Sequence, residues 1–348
     1  MFANKALSNT KQITMNNELT TNVQNNLLTA ATHAANAHSK STNRAYKNDL
    51  QLLQSYATQN GIAVMDNNLN IVAQITPAFV CGFLGNLITN GYTKTNGTPE
   101  QYKPATLNRL LATIGAASKS AGFDTPVNKA VRLIVSGYSK TLTNNTPYEQ
   151  KQAAALKNYE IVKAIYTGTF GDCNNRCTRD KAIVLVGFAA CLRRNEIAQL
   201  KFADLNFKTE KRPGVLIKIK NAKTGNYIKF IPKGNDPDTC PVVALQKWIA
   251  KGQITKDDFL FPTIIKGDKI DKAQHIAGQT VQRILQKYFN EKDKTYTGHS
   301  LRVGFAVSAK IKGASINDIQ IAGAWKSATM VNRYAEQAGA EEAGIELF

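Results

Sequence analysis

A polar break at residues 143–147 (TNNTP) divides the chain into two parts with different hydrophobic patterns. Before the break, apolar residues recur every three to four positions, and strand signals are absent. After it, helical segments continue and a β-hairpin pattern joins them. We therefore predict a mainly α fold with a small antiparallel β-sheet: a disordered tail at 1–20, an all-helical domain at 21–143, a linker at 144–152 and an α+β domain at 153–348.

The helical periodicity predicts most of the elements directly. In the first part it gives an Ala-rich helix from about residue 23, a second helix that opens with the sequence SKSTNRAYK, and helices at 75–88, 105–121 and 127–138. In the second part it gives helices at 158–166, 179–190, 241–251 and 278–289. The segments VLIKIK and YIKFI alternate apolar and polar residues around NAKTGN, which predicts a hairpin with Lys223 in its loop.

The formal net charge of +19 points to a polyanionic partner, and nucleic acid is the best candidate. The excess is concentrated in the second part: residues 1–150 carry +6, residues 151–334 carry +17, and the last 14 residues carry −4. A ribosomal or merely soluble basic protein is the alternative on charge alone. The distribution predicts that the polyanion lies mainly on the second domain.

The remaining composition excludes several classes of protein. Five cysteines form an odd set, and Cys173 and Cys177 lack the second pair or nearby histidine of a zinc site, so all five are predicted to be free thiols. No nucleotide fingerprint or phosphate-cradling glycine loop is present, so we expect no cofactor and no metal. No apolar run reaches the length of a membrane span and no signal peptide is evident, so a cytoplasmic protein is predicted.

The stretch from His299 to Tyr334 carries four chemistry-bearing side chains on three short predicted helices. His299 and Arg302 stand three residues apart at a helix start and share one face. The next helix ends just before Trp325, and the last one carries Tyr334. Two cationic or proton-sharing groups, an indole N–H and a phenol can therefore converge, which is what a phosphate-handling site needs. Taken singly, each of these residues is more often structural.

The order of motifs along the chain resembles that of the tyrosine recombinase (phage integrase) family. The motifs are LRRNEI at 192–197, a hairpin lysine, HSLRVG at 299–304, AGAW at 322–325 and NRY at 332–334. The HSxRVG and AGxW segments resemble Cre-like simple site-specific recombinases in particular. STNRAYKNDL and KPATLNR resemble the helical, SAM-like core-binding domain with which the family clamps DNA. The resemblance extends over about residues 25–348.

This resemblance implies a reaction for the side chains in these motifs. Tyr334 would attack a DNA phosphodiester, leaving a 3′-phosphotyrosine and a free 5′-hydroxyl. A phenol has an ordinary pKa of about 10, and His299 would share its proton. Lys223 would protonate the leaving 5′-oxygen. No ATP and no obligatory metal are needed, because one phosphodiester is exchanged for another.

The same resemblance assigns the groups that hold the phosphate. Arg193 and Arg302 would bind its non-bridging oxygens, Trp325 would donate its indole N–H, and Glu196 would accept hydrogen bonds from the cationic groups. Either arginine of LRRNEI could be catalytic by position alone. The family pattern, in which the arginine follows a small residue and Leu and precedes Glu by three, selects Arg193 and leaves Arg194 for backbone phosphate.

Further residues are predicted to contact DNA or a second subunit. The helix at 278–289 is the candidate for base reading, because Gln and Arg supply bidentate base contacts; phosphate contact alone is the alternative. The predicted DNA contacts are Lys40, Arg44, Lys47, Lys103, Arg109, Arg194, Gln279, Gln282, Arg283 and Lys287. In Cre-like proteins a C-terminal helix docks into a neighbouring subunit, which implies the same role here for Ile345, Leu347 and Phe348.

The sequence therefore predicts a site-specific DNA recombinase with two domains that clamp double-stranded DNA. A homodimer would bind one site of inverted-repeat half-sites, and a homotetramer would form the synaptic complex in the cytoplasm, associated with the nucleoid. A Xer-like plasmid or chromosome dimer resolvase and a phage integrase are alternatives within the class. A monomeric type IB topoisomerase and a non-catalytic repressor are alternatives outside it.

Overall fold

The computed structural model describes residues 39–145, 153–171, 174–220, 225–289, 291 and 294–335, and the chain divides into two units between residues 150 and 151. This division falls inside the predicted linker. The predicted tail, the Ala-rich helix that begins near residue 23, the loop lysine Lys223 and the C-terminal residues 336–348 lie outside the described residues.

The described residues of the first unit form four helices, and the starts of the first two follow the expected capping chemistry. The Ser39 hydroxyl accepts the Thr42 N–H, and the Thr76 hydroxyl accepts the Phe79 N–H, both at 3.2 Å. Proline occupies the first turn of the second and third helices. The helices are α1 (Lys40–Gln59), α2 (Pro77–Asn90), α3 (Pro104–Ser120) and α4 (Lys129–Asn145).

Two features of this unit differ from the sequence prediction. Strands β1 (Tyr92–Thr93) and β2 (Pro99–Glu100) form a small antiparallel pair inside the predicted polar loop, so the unit is not purely helical. Strands of two residues are too short to show alternation in a sequence. Helix α4 also continues to Asn145, two residues into the predicted linker.

The core of the first unit lies where α1 and α2 pack against α3 and α4. A polar contact also crosses it: the buried Asp49 of α1 accepts hydrogen bonds from Arg109 and Thr113 of α3, both at 2.8 Å. Burial raises the pKa of Asp49, and the Thr113 hydroxyl and the Arg109 guanidinium oppose the rise. Asp49 therefore links the two helices at a buried position where an unpaired carboxylate would be costly.

The second unit combines helices with short antiparallel strands. Its helices are α5 (Asn158–Tyr166), α6 (Asn175–Ala189), α7 (Arg194–Gln199), α8 (Pro241–Lys251), α9 (Gly278–Tyr288), α10 (Ser300–Ile311), α11 (Ile316–Gly323) and α12 (Ala328–Ala335). Its strands are β3 (Leu205–Asn206), β4 (Gly214–Ile219), β5 (Tyr227–Pro232), β6 (Pro262–Ile264) and β7 (Ile270–His275). They form a three-stranded sheet, β3-β4-β5, and a separate pair, β6-β7.

Helix α6 is the centre of this unit, because its apolar residues face both α8 and α10. Helix α9 is held on α6 by the Tyr288 hydroxyl, which donates to the Asp180 carboxylate at 3.2 Å, and it also packs on α7. A smaller apolar cluster lies under α10, α11 and α12 and includes Cys191, Val303, Trp325 and Tyr334. The predicted hairpin is confirmed as β4 and β5, whereas β6 and β7 were missed.

Two further findings concern the helices and thiols of the described residues. Within that part of the chain, none of the helices is both long and apolar enough to span a membrane. Cys81, Cys177, Cys191 and Cys240 are free thiols, and Cys173 lies outside the described residues.

Gly304 offers a test of the packing between α10 and the segment that precedes α5. A Cβ atom on Gly304 would lie 1.8 Å from the backbone oxygen of Leu156, so Gly304→Ala must displace backbone. We expect it to lower the free energy of unfolding of the second unit by about 2–3 kcal/mol, measured by urea denaturation. Tryptophan fluorescence reports this unit, because Trp248 and Trp325 both belong to it.

The control for this prediction is Gly137→Ala in α4. A Cβ atom there meets nothing within 4 Å, so the alanine should be neutral or stabilise by up to about 1 kcal/mol through helix propensity. A wild-type urea midpoint for Gly304→Ala would show that α10 does not pack this closely against the Leu156 peptide.

Candidate active site

Arg193 and Glu196 form the first half of the site at the start of α7. The Glu196 carboxylate accepts the Arg193 backbone N–H and its guanidinium, both at 2.8 Å. Its second partner is Tyr227 of β5, whose hydroxyl donates to it at 2.9 Å. Burial raises the pKa of the Tyr227 phenol, and Glu196 adds to the rise. Glu196 therefore holds the Arg193 guanidinium in place and links α7 to strand β5 of the hairpin.

Arg302 is the most deeply buried cation of the site, with 1% of its surface exposed. Its Nη1 donates to the backbone carbonyl of Cys191 and, at 3.2 Å, to that of Gly323. Cys191 has a left-handed backbone (φ 53°), which turns the chain between α6 and α7. Within the described part of the chain, Nε and Nη2 of Arg302 are buried without a hydrogen-bond partner. They are donors without an acceptor, as a site for an anion requires.

Trp325 covers Arg302 from the side of α11. The Arg302 guanidinium lies 4.5 Å from the centre of the indole ring, an arrangement typical of cation–π contact. The chain reaches this position because Ala324 is left-handed (φ 50°) and because Gly323 has no side chain. A Cβ atom on Gly323 would lie 1.6 Å from the Trp325 ring, so the ring can fold back only over glycine.

His299 and Tyr334 meet at the edge of the same site. His299 Nε2 lies 2.6 Å from the Tyr334 hydroxyl oxygen, a hydrogen bond between the start of α10 and helix α12. Tyr334 is buried, with 3% of its surface exposed. Its ring also lies 5.9 Å from that of Trp325, centre to centre. The sequence-predicted groups from His299 to Tyr334 are therefore brought together.

The electrostatics of this pair favour a neutral imidazole beside a neutral phenol. Desolvation, together with the charges of Arg302 and Arg193, lowers the pKa of His299 to about 4. His299 as a whole residue is exposed, and solvent screening weakens the effect of desolvation on its pKa. Burial raises the pKa of Tyr334, while Arg302 and Arg193 act in the opposite direction. His299 can thus accept the phenolic proton, and the two arginines stabilise the phenolate that forms.

Two residues of the site were missed by sequence reasoning. Tyr227 and Lys229 lie on β5, and Lys229 is buried with 6% of its surface exposed. The alternation of YIKFI predicts the strand but assigns no role to its lysine; in the structure Ile228 is exposed and Lys229 is buried. The signal that could have found them is the shared face of Tyr227, Lys229 and Ile231. Lys223 itself lies outside the described residues.

Helix α9 presents its predicted DNA-reading residues on one polar face. Gln279, Arg283 and Lys287 are exposed, and Gln282 is half-buried. Arg194 Nη1 donates to the side-chain oxygens of Gln279 and Gln282, at 3.2 and 3.0 Å. Arg194 thus links the start of α7 to α9.

The residues of the first unit that are predicted to contact DNA differ in their exposure and in their partners. Arg44, Lys47 and Lys103 are exposed, and Lys40 is the first residue of α1. Arg109 is engaged in the ion pair with Asp49. Their contact with DNA stays a prediction, as does the subunit contact of Ile345, Leu347 and Phe348, which lie outside the described residues.

Comparison with known proteins identifies the family. The model of the phage integrase family matches residues 160–341, more than half of the chain. The chain belongs to the phage integrase family. Among curated proteins, it is 27% identical over 252 residues to an integrase/recombinase xerD homolog of Selenomonas ruminantium, covering 70% of this chain and 71% of that protein.

Solved structures of family members share the fold. A λ integrase dimer bound to a COC′ core site matches with a TM-score of 0.57 and 14% identity, covering 98% of this chain and 88% of that one. XerH bound to a palindromic difH substrate in a post-cleavage complex matches with a TM-score of 0.56 and 16% identity, covering 98% and 92%. The Tn1549 transposon integrase with transposon right end DNA matches at 0.53 and 14%, covering 98% and 96%. The predicted fold class is confirmed.

The lowered pKa of His299 gives a prediction for this site. The imidazole should stay neutral at pH 6 in the DNA-free protein and take up a proton only as the pH falls toward about 4. Histidine NMR resonances followed from pH 8 to pH 4 measure this, and the chain has only four histidines. The signal that disappears in His299→Gln identifies the residue. A midpoint at or above 6.5 would contradict the lowering of this pKa by burial and by the two arginines.

Proposed function

We propose that this protein is a site-specific DNA recombinase that cuts and rejoins strands through a 3′-phosphotyrosine, with Tyr334 as the nucleophile. The observation that carries the proposal is the 2.6 Å hydrogen bond between His299 Nε2 and the Tyr334 hydroxyl beside the unpartnered N–H groups of Arg302. A nucleophile, its proton acceptor and free donors for an oxyanion thereby occupy one site. Membership of the phage integrase family supports the same chemistry.

The proposed reaction balances without a cofactor. The Tyr334 oxygen attacks phosphorus, forming the new O–P bond, and its proton passes to His299. The bond from phosphorus to the 5′-oxygen breaks, and that oxygen receives a proton, which we assign to Lys223. Arg193 and Arg302 bind the non-bridging oxygens, whose negative charge grows in the transition state. The reverse sequence, with a 5′-hydroxyl from another strand as nucleophile, rejoins the DNA.

The finer assignments extend this proposal. Glu196 orients Arg193, Trp325 donates its indole N–H to the phosphate, and α9 reads bases in the major groove. Protomers bind inverted-repeat half-sites as a dimer and assemble as a tetramer, in the manner of Cre-like simple recombinases. The XerD homolog among the relatives favours a dimer resolvase as the second candidate. Recombination of a plasmid carrying two direct repeats, with no added protein, separates a self-sufficient enzyme from one that needs accessory factors.

Covalent trapping tests the catalytic proposal. A nicked suicide substrate from a repeat near the gene should give a protein–DNA adduct with the wild type and none with Tyr334→Phe, because the phenylalanine has no attacking oxygen. Tyr159→Phe is the matched control, since the Tyr159 side chain is 59% exposed on α5, and it should react like the wild type. An adduct formed by Tyr334→Phe would overturn the assignment of the nucleophile. Specific binding without an adduct in the wild type would favour a repressor.

The polar face of α9 gives a prediction about DNA affinity. Arg283→Ala should weaken binding to the target more than to a shuffled duplex, by about 1–3 kcal/mol, if its guanidinium reads a base edge. Lys287→Ala should weaken binding to the target and to the shuffled duplex equally. It should also reduce the slope of log affinity against log salt concentration by the equivalent of about one phosphate contact. Lys247→Ala, an exposed lysine of α8, is the charge control. Fluorescence anisotropy at several salt concentrations distinguishes these effects; equal loss on both duplexes for Arg283→Ala would leave it as a phosphate contact.

A further inference from the structure

Lys229 occupies an inward-facing position of β5 where a strand ordinarily buries an apolar side chain. Tyr227 and Ile231 lie on the same face, and Ile217 is its partner across the β4–β5 register. Lys229 is 6% exposed, whereas Lys218 of the adjacent strand is exposed. An ammonium group taken out of water destabilises the fold strongly unless it is paired. A buried lysine here therefore needs a specific explanation.

The contacts of Lys229 do not include the usual carboxylate. None of the ion pairs found between described residues involves it. Its Nζ donates instead to the backbone carbonyl of Ala322, at the end of α11. It also lies 5.5 Å from the centre of the Tyr227 ring. A main-chain oxygen and an aromatic face are its partners, and both belong to segments that build the active site.

The carbonyls of Ala322 and Gly323 follow each other in the chain and receive the two buried cations of the site. Lys229 donates to the first and Arg302 to the second. These carbonyls end α11, where the helix dipole favours positive charge. They also lie directly before the left-handed turn at Ala324 that folds Trp325 onto Arg302. Lys229 and Arg302 therefore hold the same turn from two different elements, Lys229 from strand β5 and Arg302 from helix α10.

We propose that Lys229 is a positioning residue that ties strand β5 to the turn at 322–325 and thereby keeps Arg302 and Trp325 in place for the scissile phosphate. This inference rests on the proposed recombinase function, and it assigns to Lys229 a role distinct from that of Lys223. In the proposed reaction Lys223 gives a proton to the leaving oxygen, whereas the Nζ of Lys229 donates to the Ala322 carbonyl. The phosphate-binding groups then depend on the hairpin for their geometry.

Single-turnover cleavage of a suicide substrate tests the proposal. Lys229→Met keeps length and apolar volume but removes the donor, so adduct formation should slow at least about tenfold while DNA affinity stays within about twofold. Lys229→Arg retains a charged donor and should recover most of the rate. Lys218→Met is the matched control on β4 and should cleave like the wild type. A wild-type rate for folded Lys229→Met would overturn the proposal.

A substrate with sulfur in place of the 5′-bridging oxygen separates positioning from proton donation. A thiolate leaves without protonation, so this substrate should restore the rate of Lys223→Ala but not that of Lys229→Met. Restoration of Lys229→Met would make Lys229 the proton donor and overturn its positioning role. Failure of the recombinase proposal looks different, because the wild type would then give no adduct on either substrate.

A readout on the free protein covers the case in which Lys229→Met does not fold. Burial, with Arg302 and Arg193 nearby, lowers the pKa of Lys229 to about 8, while Cys191 and Glu196 oppose the shift. The ammonium is therefore lost as the pH rises above about 8. Acrylamide quenching of tryptophan fluorescence should then increase in the wild type as the turn loosens around Trp325, and should stay constant in Lys229→Arg. Equal quenching in both proteins from pH 7 to 9.5 would contradict the inference.

Discussion

Among the described residues the buried Arg302 guanidinium has no carboxylate partner, and the rest of the site follows from this constraint. A charge removed from water must be compensated, and a carboxylate in contact with it would neutralise the charge that an anionic substrate needs. The protein uses the carbonyls of Cys191 and Gly323 and the face of Trp325 instead. These groups hold the cation in place and leave Nε and Nη2 without acceptors in the described structure.

This arrangement also sets the chemistry of the other residues. The positive charge of Arg302 lowers the pKa of His299 and opposes the rise in the pKa of Tyr334. The same field therefore keeps the imidazole neutral while making it a weaker base, and it makes the phenol easier to ionise than burial alone would allow. Glu196 balances Arg193, which is only half-buried, so the two arginines have unequal compensation. The deeper arginine retains the greater uncompensated charge.

Elements specified by neighbouring residues could be predicted from the sequence, whereas features that depend on contacts between distant segments could not. The helices at 158–166 and 241–251 have their predicted bounds. Local periodicity defines both helices, and a proline in the first turn marks the start of the second. The convergence of His299, Arg302, Trp325 and Tyr334 could be predicted because they lie on three short helices that follow one another in the sequence. Strands β6 and β7 were not predicted, because their pairing depends on register and a bulge rather than on alternation of apolar and polar residues.

Lys229 and Cys191 illustrate what pattern reasoning cannot reach. A lysine in an alternating strand is ordinarily assigned to the solvent face, and only the tertiary arrangement shows that β5 turns this face toward α11. The left-handed backbone at Cys191 is similarly hidden, since a cysteine in that conformation carries no sequence signal of the kind that glycine provides. In both cases the environment of the residue is created by a segment distant in the chain.

Main-chain partners for Arg302 and Lys229 have a consequence for divergence. Every residue has a peptide carbonyl, so point substitutions at Cys191 or Ala322 cannot delete the acceptor atom and can harm it only by altering the local path of the chain. Selection at these two positions then acts on conformation rather than on chemical identity, whereas Gly323 must also lack a side chain where the Trp325 ring folds back. Main-chain acceptors of this kind tolerate sequence drift, and solved structures that share only 14–16% of their residues with this chain have the same fold.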